Sequence, residues 1–290
     1  MSPTSVPEEM RRGKSLSQNM TSKSGFKSLG CPQGSVPIMR TRKEALRWAK
    51  SIPSRTEASA LPSEYHFAVT ATVGTRKYHG SKTFMAIYNP KVSENQFSGG
   101  VTWVRNGPQE NHNSIHVGWI ADGKGKTGCW DILCSGFVQV STDITLGLTL
   151  EPTSVGEDQY ETEFTLFQDT KTGDWWVTIS PRETLVGYWP KHLFTSLASH
   201  ASQIIWGGEV YSPKYEVNTP PMGSGQFVPR NSYKTAYARL IQVMDESYSY
   251  IYPEGITIYT YWDPANCYWA KFEDMVWGTM LFGGPGSTCM

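Results

Sequence analysis

The chain is written in short runs of alternating aromatic or β-branched and polar residues, each closed by a turn signal. HFAVTATV (66–73), KTFMAIYNP (82–90), GGVTWV (99–104) and NSIHVGWI (113–120) have this form. So do SGFVQVS (135–141), YETEFTLF (160–167), DWWVTIS (174–180), ARLIQVM (238–244) and ITIYTYW (256–262). Period-two alternation over five to eight residues is the mark of a strand with one face buried and one exposed. Asn89-Pro90, Asn106-Gly107-Pro108 and Lys171-Thr172-Gly173-Asp174 supply the turns between runs. The 11 Trp, 15 Tyr and 11 Phe favour strands, and the 27 Gly and 18 Pro favour turns. The expected fold is all-β, an antiparallel β-sandwich or barrel-like sheet.

Two stretches depart from this period. Over 189–202, Pro190 suits a first helical turn, and Leu193, Phe194, Leu197, Ala198 and Ala201 recur at helical spacing, which predicts one short helix. Thr41 is a plausible N-cap for a second helical stretch, with Ala45, Leu46, Trp48 and Ala49 as its apolar stripe. Residues 1–30 are polar, rich in Ser, Lys and Gly, and read as disordered. The expected organisation is an N-terminal region over 1–60 and one large domain over 61–290.

Lys and Arg total 26 and Asp and Glu total 26, so the net charge is zero. That argues against nucleic acid or an anionic membrane as main partner, since both demand a basic surface. No apolar run reaches membrane-spanning length, and the first 25 residues lack the apolar core of a signal peptide. Of five cysteines, Cys129 with Cys134 and Cys267 with Cys289 form local pairs suited to disulfides, leaving Cys31 over. Zinc is the competing reading for cysteines, but no C-x-x-C spacing or nearby His supports it.

Glu209 lies in IIWGGEV (204–210), an acidic residue framed by apolar side chains and two glycines. A carboxyl in such a setting is partly desolvated, stays protonated more readily and is a candidate acid catalyst. The plain alternative is a glutamate at a strand edge pointing to water. His112 and His116 have i, i+4 spacing, but on a strand those positions lie about 13 Å apart, which argues against a metal pair. No metal or cofactor motif is present. MGSGQF (222–227) lacks the context of a nucleophile elbow, FGGPG (282–286) reads as a turn, and Asn19 begins a weak glycosylation sequon.

Taken in order, several of these strings resemble one family. GCPQGSVPIMRT (30–41) resembles the neprosin activation peptide. NSIHVGW (113–119), TGCWDILCSGFVQVS (127–141), GDWWVTI (173–179) and VGYWPKHLF (186–194) resemble successive blocks of the neprosin domain. IIWGGEV (204–210), PMGSGQF (221–227), NCY (266–268) and FGGPG (282–286) continue the series. The resemblance implies a neprosin-type β-sandwich with an N-terminal prosegment-like region. It further implies a secreted plant zymogen and a glutamic endopeptidase that cleaves after proline at acidic pH, without a cofactor. The implied partner is a Pro-containing peptide or protein substrate.

The family's catalysis rests on two glutamates. One corresponds to Glu209, and the other falls where this chain has His116. One ionised carboxyl activates water while a protonated one donates to the carbonyl oxygen or the leaving amine. An imidazole, cationic at acidic pH, would instead stabilise ionised Glu209. Only IADGKGK (120–126) joins Trp119 to Thr127, where the family carries a further strand with a Tyr-Trp-Thr element. Two functions follow as expectations: an endopeptidase weakened by His116, or a non-catalytic paralogue that binds Pro-rich peptides or another protein.

Overall fold

A computed structural model describes residues 30–32, 34–38, 64–108, 112–122, 136–180, 183–227, 234–273 and 278–288. Among them are fourteen strands: β1 (Tyr65–Thr72), β2 (Gly80–Ala86), β3 (Phe97–Asn106), β4 (Asn113–Asp122), β5 (Val138–Gln139), β6 (Glu161–Gln168) and β7 (Trp175–Ile179), followed by β8 (Thr184–Trp189), β9 (Gln203–Tyr211), β10 (Ala236–Met244), β11 (Tyr250–Ile251), β12 (Ile258–Asp263), β13 (Trp269–Glu273) and β14 (Thr279–Gly283). They form two antiparallel sheets. One has five strands in the order β12-β1-β9-β3-β4. The other has nine, in the order β13-β14-β10-β2-β6-β7-β8-β5, with β11 paired to β10. The expected all-β sandwich is the observed fold.

The core lies between the sheets. Ala68 from β1, Ile204, Trp206 and Val210 from β9, and Trp119 from β4 meet Met85, Phe164, Leu166, Val177, Met280 and Phe282 from the other sheet. Even-numbered β9 residues therefore face inward and odd-numbered ones outward, which follows from the two-residue period. The two indoles that the five-stranded sheet contributes to this core keep their N–H groups bonded. Trp119 donates to the carbonyl of Ala86 at 2.8 Å, and Trp206 donates to the Ser81 hydroxyl at 2.9 Å. Close sheet approach at β9 requires Gly208, where a Cβ would lie 2.4 Å from Met222 Sδ and 2.6 Å from Phe282 Cδ2.

The helix expected over 189–202 is not formed. Only a three-residue 3-10 turn, Lys191–Leu193, is present there. The backbone groups a helix would satisfy internally are taken by asparagines of the five-stranded sheet. Asn113 Oδ1 accepts the amides of Thr195 and Ser196 at 2.9 Å, and Asn106 Nδ2 donates to the carbonyls of Ser196 and His200 at 2.9 Å. The Trp175 indole donates to the Leu197 carbonyl at 2.9 Å. Side chains that outbid the backbone in this way convert an apolar helical period into a pinned loop. The run at 135–141 is also shorter than expected, reduced to β5. The helical stretch expected over 41–49 lies outside the described residues.

Near the N-terminus, residues 31 and 37 are held against the segment around β5. Cys31 N–H donates to the Thr142 carbonyl at 3.1 Å, and Gln139 Nε2 donates to the Pro37 carbonyl at 2.6 Å. This contact sits at the β5 end of the nine-stranded sheet.

Candidate functional site

Glu209 stands on β9, the middle strand of the five-stranded sheet, and its outward parity puts it on the sheet's outer face. Its register partners are Phe67 on β1 and Gly99 on β3. Glu209 is 0 % exposed. Tyr65, Phe97 and Tyr211 cluster at this end of the face, with Phe67 and Ile120 packed against them. Tyr65 and Tyr211 have ring centroids 4.9 Å apart, and Phe97 stacks on Tyr211 at 5.7 Å. Burial pushes the Tyr211 phenol up to about 12, with the Glu64 and Tyr215 charges adding, so it stays neutral in acid and at neutrality. The glycines beside the carboxyl leave space for it. A Cβ at Gly99 would lie 3.9 Å from Glu209 Cγ.

His116 lies on the same outer face but not level with Glu209. It is opposite Trp103 on β3, and Trp103 is opposite Ile205 on β9. The β4 residue level with Glu209 is Ile120. Two strand spacings and four residues of stagger put the Cα atoms of His116 and Glu209 roughly 16 Å apart in a flat sheet. Aromatic side chains cross part of that gap. His116 stacks on Trp103 with centroids 4.9 Å apart and planes 7° apart, and Trp103 lies 6.4 Å from the Phe67 ring. The imidazole Nε2 is 3.1 Å from Ser114 Oγ. The sheet thus joins the two residues to one aromatic patch, with Trp103 and Phe67 between them. An imidazolium stacked on an indole face is stabilised by a cation–π interaction.

The other outer face carries charges in paired sets. Lys82 Nζ is 2.5 Å from Glu183 and 3.4 Å from Glu163. Burial would lower the Lys82 ammonium, but Glu163 and Glu183 outweigh it and hold it up. Burial raises the Glu163 carboxyl, Lys82 opposes that rise and Glu183 adds to it. Arg239 binds Glu161 bidentately through Nε and Nη2, with Nε to Oε2 at 2.7 Å, and the Tyr237 hydroxyl donates to Glu161 at 3.0 Å. None of these groups was singled out from the sequence. The i, i+2 repeat Glu161/Glu163 in YETEF was the available signal.

The other expected site residues are placed as follows. His112 precedes β4. Cys267 is buried at 2 % exposure and is disulfide-bonded. Its expected partner Cys289, the pair Cys129 and Cys134, and Asn19 all lie outside the described residues. Cys31 is a free thiol. Phe67, Trp103, Tyr65, Phe97 and Tyr211, which build the patch around Glu209, were read from the sequence only as strand residues. Against known families, the model described as Neprosin matches residues 94–285, about two thirds of the chain, and spans both Glu209 and His116.

Proposed function

Because the chain belongs to the neprosin family, we propose that it is a neprosin-like glutamic endopeptidase domain for Pro-containing peptides at acidic pH, with turnover weakened by His116. The observation that carries this reading is the position of Glu209, fully buried at the middle of the five-stranded sheet and set in an aromatic patch. A protonated carboxyl in that patch can donate to the carbonyl oxygen or leaving amine of a bound peptide. His116 takes the place of the carboxylate that would activate water. An ordinary imidazole, with a pKa of about 6.5, is already protonated at the acidity a glutamic dyad needs and cannot accept the water's proton there.

The test is cleavage of a Pro-containing peptide followed across pH 3–7. Glu209→Gln is expected to abolish cleavage, by on the order of 100-fold or more. His116→Glu is expected to raise it and move the optimum toward acid. A Glu209→Gln protein that cleaves at the parental rate refutes the reading. A second reading, a non-catalytic protein that binds Pro-rich peptides, is favoured by the four-residue stagger between positions 116 and 209. Binding without cleavage, unchanged by His116→Glu, selects it.

The same proposal carries the secretory features with it: removal of the N-terminal segment, and disulfides Cys129–Cys134 and Cys267–Cys289. Peptide mapping without reduction checks both pairings.

A further inference from the structure

Charged side chains on the outer face of the five-stranded sheet separate by sign along the strands. Glu209 on β9 and Asp263 on β12 both stand level with Phe67. Toward the other end the face carries Arg105 on β3 and His116 on β4. Parity puts Arg105 outward, because it alternates with Val101 and Trp103, which belong to the outer apolar cluster. Arg105 is level with Ser114 on β4 and with Gln203 on β9, six residues from Glu209 along that strand. Arg105 differs from Arg239, whose guanidinium is held by Glu161. Among the described residues no carboxylate pairs with Arg105, and burial alone pushes its half-buried guanidinium down. His116 leans toward the same spot. Its Nε2 lies 3.1 Å from Ser114 Oγ, and Ser114 faces Arg105 across the strand pair. Diagonal neighbours on paired strands, as Arg105 and His116 are, lie about 7–8 Å apart, within reach of long side chains.

We propose that Arg105, with Ser114 and His116, forms a carboxylate-binding subsite that selects an acidic group on a bound peptide, about six residues from the position over Glu209. A guanidinium presents two parallel N–H donors that match a carboxylate, a fit a lysine cannot reproduce. The imidazolium form of His116 completes the donor set. Its Nε2–H donates to Ser114 Oγ, which leaves the hydroxyl hydrogen for the ligand carboxylate. Trp103, buried beneath the stacked imidazole, keeps water from one side of the subsite and so strengthens the charge pairing. The spacing sets where the acidic group falls. An extended chain advances roughly 3.3 Å per residue, and six residues of β9 separate the level of Arg105 from that of Glu209. Opposite signs at the two ends fix the direction in which such a peptide lies, with its acidic group away from Glu209 and Asp263. His116 on this account is a binding residue with no proton to transfer. The subsite deepens the peptide reading given above and rests on it for the ligand being a peptide, but it requires no hydrolysis.

The test is calorimetric titration of the full chain carrying Glu209→Gln, so that no cleavage intervenes. A pH of about 5.5 keeps an ordinary glutamate ionised and an ordinary imidazole protonated. The probes are acetylated and amidated peptides with one proline and one glutamate, placed six residues before it or six after it. Each has a twin with glutamine in place of glutamate. One glutamate peptide should bind about fivefold more tightly than its twin. Arg105→Gln should abolish that preference and leave the affinity for the glutamine twin unchanged, while Arg105→Lys keeps part of it. A further twin, ending at the same position in a free carboxylate, tells a chain end from a side chain. An Arg105-dependent preference for either supports the subsite. No binding, no preference for any of these carboxylates, or a preference that survives Arg105→Gln overturns it. Equal weakening of both twins also overturns it, because Arg105 would then act on the fold and not on the ligand. If the wild-type chain cleaves Pro-containing peptides at the same rate with glutamate or glutamine, the subsite fails and the endopeptidase reading stands. If the preference depends on Arg105 but the wild type never cleaves, hydrolysis fails and the subsite stands.

Discussion

The two outer faces of this sandwich handle carboxyl groups in opposite ways. On the nine-stranded sheet, Glu161, Glu163 and Glu183 each lie against a cation, Arg239 or Lys82. Those pairs tie strands together: Arg239 on β10 reaches Glu161 on β6 across β2, and its guanidinium sits 5.6 Å from the Phe84 ring. On the five-stranded sheet, Glu209 is set among aromatic rings with glycine beside it. A cation beside a carboxylate opposes its protonation, although at Glu163 burial still raises the carboxyl overall. A carboxyl buried among rings is where acid chemistry can be tuned. The face with more ion pairs thus ties strands together, and the face with the buried Glu209 in its middle is the candidate for chemistry.

The sharpest way to break this contrast is to alter the glycine that lets β9 fit. Gly207 has φ +140°, and a Cβ there would lie 2.2 Å from the Ala68 carbonyl oxygen on β1. Backbone cannot move aside cheaply, so Gly207→Ala should cost about 3 kcal/mol or more in a denaturant titration. A loss below about 1 kcal/mol would show that the five-stranded sheet is looser than its register implies. Next in size is Arg239→Ala, which leaves Glu161 partly buried beside Tyr237. About 2–3 kcal/mol of stability should be lost, while Glu161→Ala in the same protein restores part of it. If the double variant recovers nothing, the pair is not a coupled unit and the structural role assigned to that face fails.

Much of the architecture was legible, and the failures have physical causes. A run such as YETEFTLF alternates because one side meets the core and the other carries carboxylates paired with cations. The β9 run IIWGGEVY does not alternate: it is a central strand buried on both faces, and its glycines lower strand propensity. The helix misread at 189–202 arose from side chains far away in sequence, Asn106 and Asn113, that captured its backbone groups. Glu209 was visible through its block of neighbours. Its stagger against His116 was not, because that offset is fixed by β3 pairing with both strands, a long-range property of register.

The smallest effect concerns the inner side of the same sheet, where His66 on β1 pairs with Val210, next to Glu209 in the chain. His66 is buried, its ring 5.9 Å from that of Tyr268. Burial lowers its pKa, and the Asp263 charge only partly opposes this. The folded protein therefore binds a proton at this site less readily than the unfolded chain. Where pH lies above the unfolded value of about 6.5, both states are neutral and the stabilisation is complete. As pH falls below 6.5, the unfolded state takes up the proton first and stability declines, with a slope of at most about 1.4 kcal/mol per pH unit. His66→Phe should flatten that slope between pH 6.5 and 5 in urea titrations, whatever it does to stability at pH 8. An unchanged slope would mean that the acid sensitivity comes from another group, first from His200, whose pKa burial also lowers.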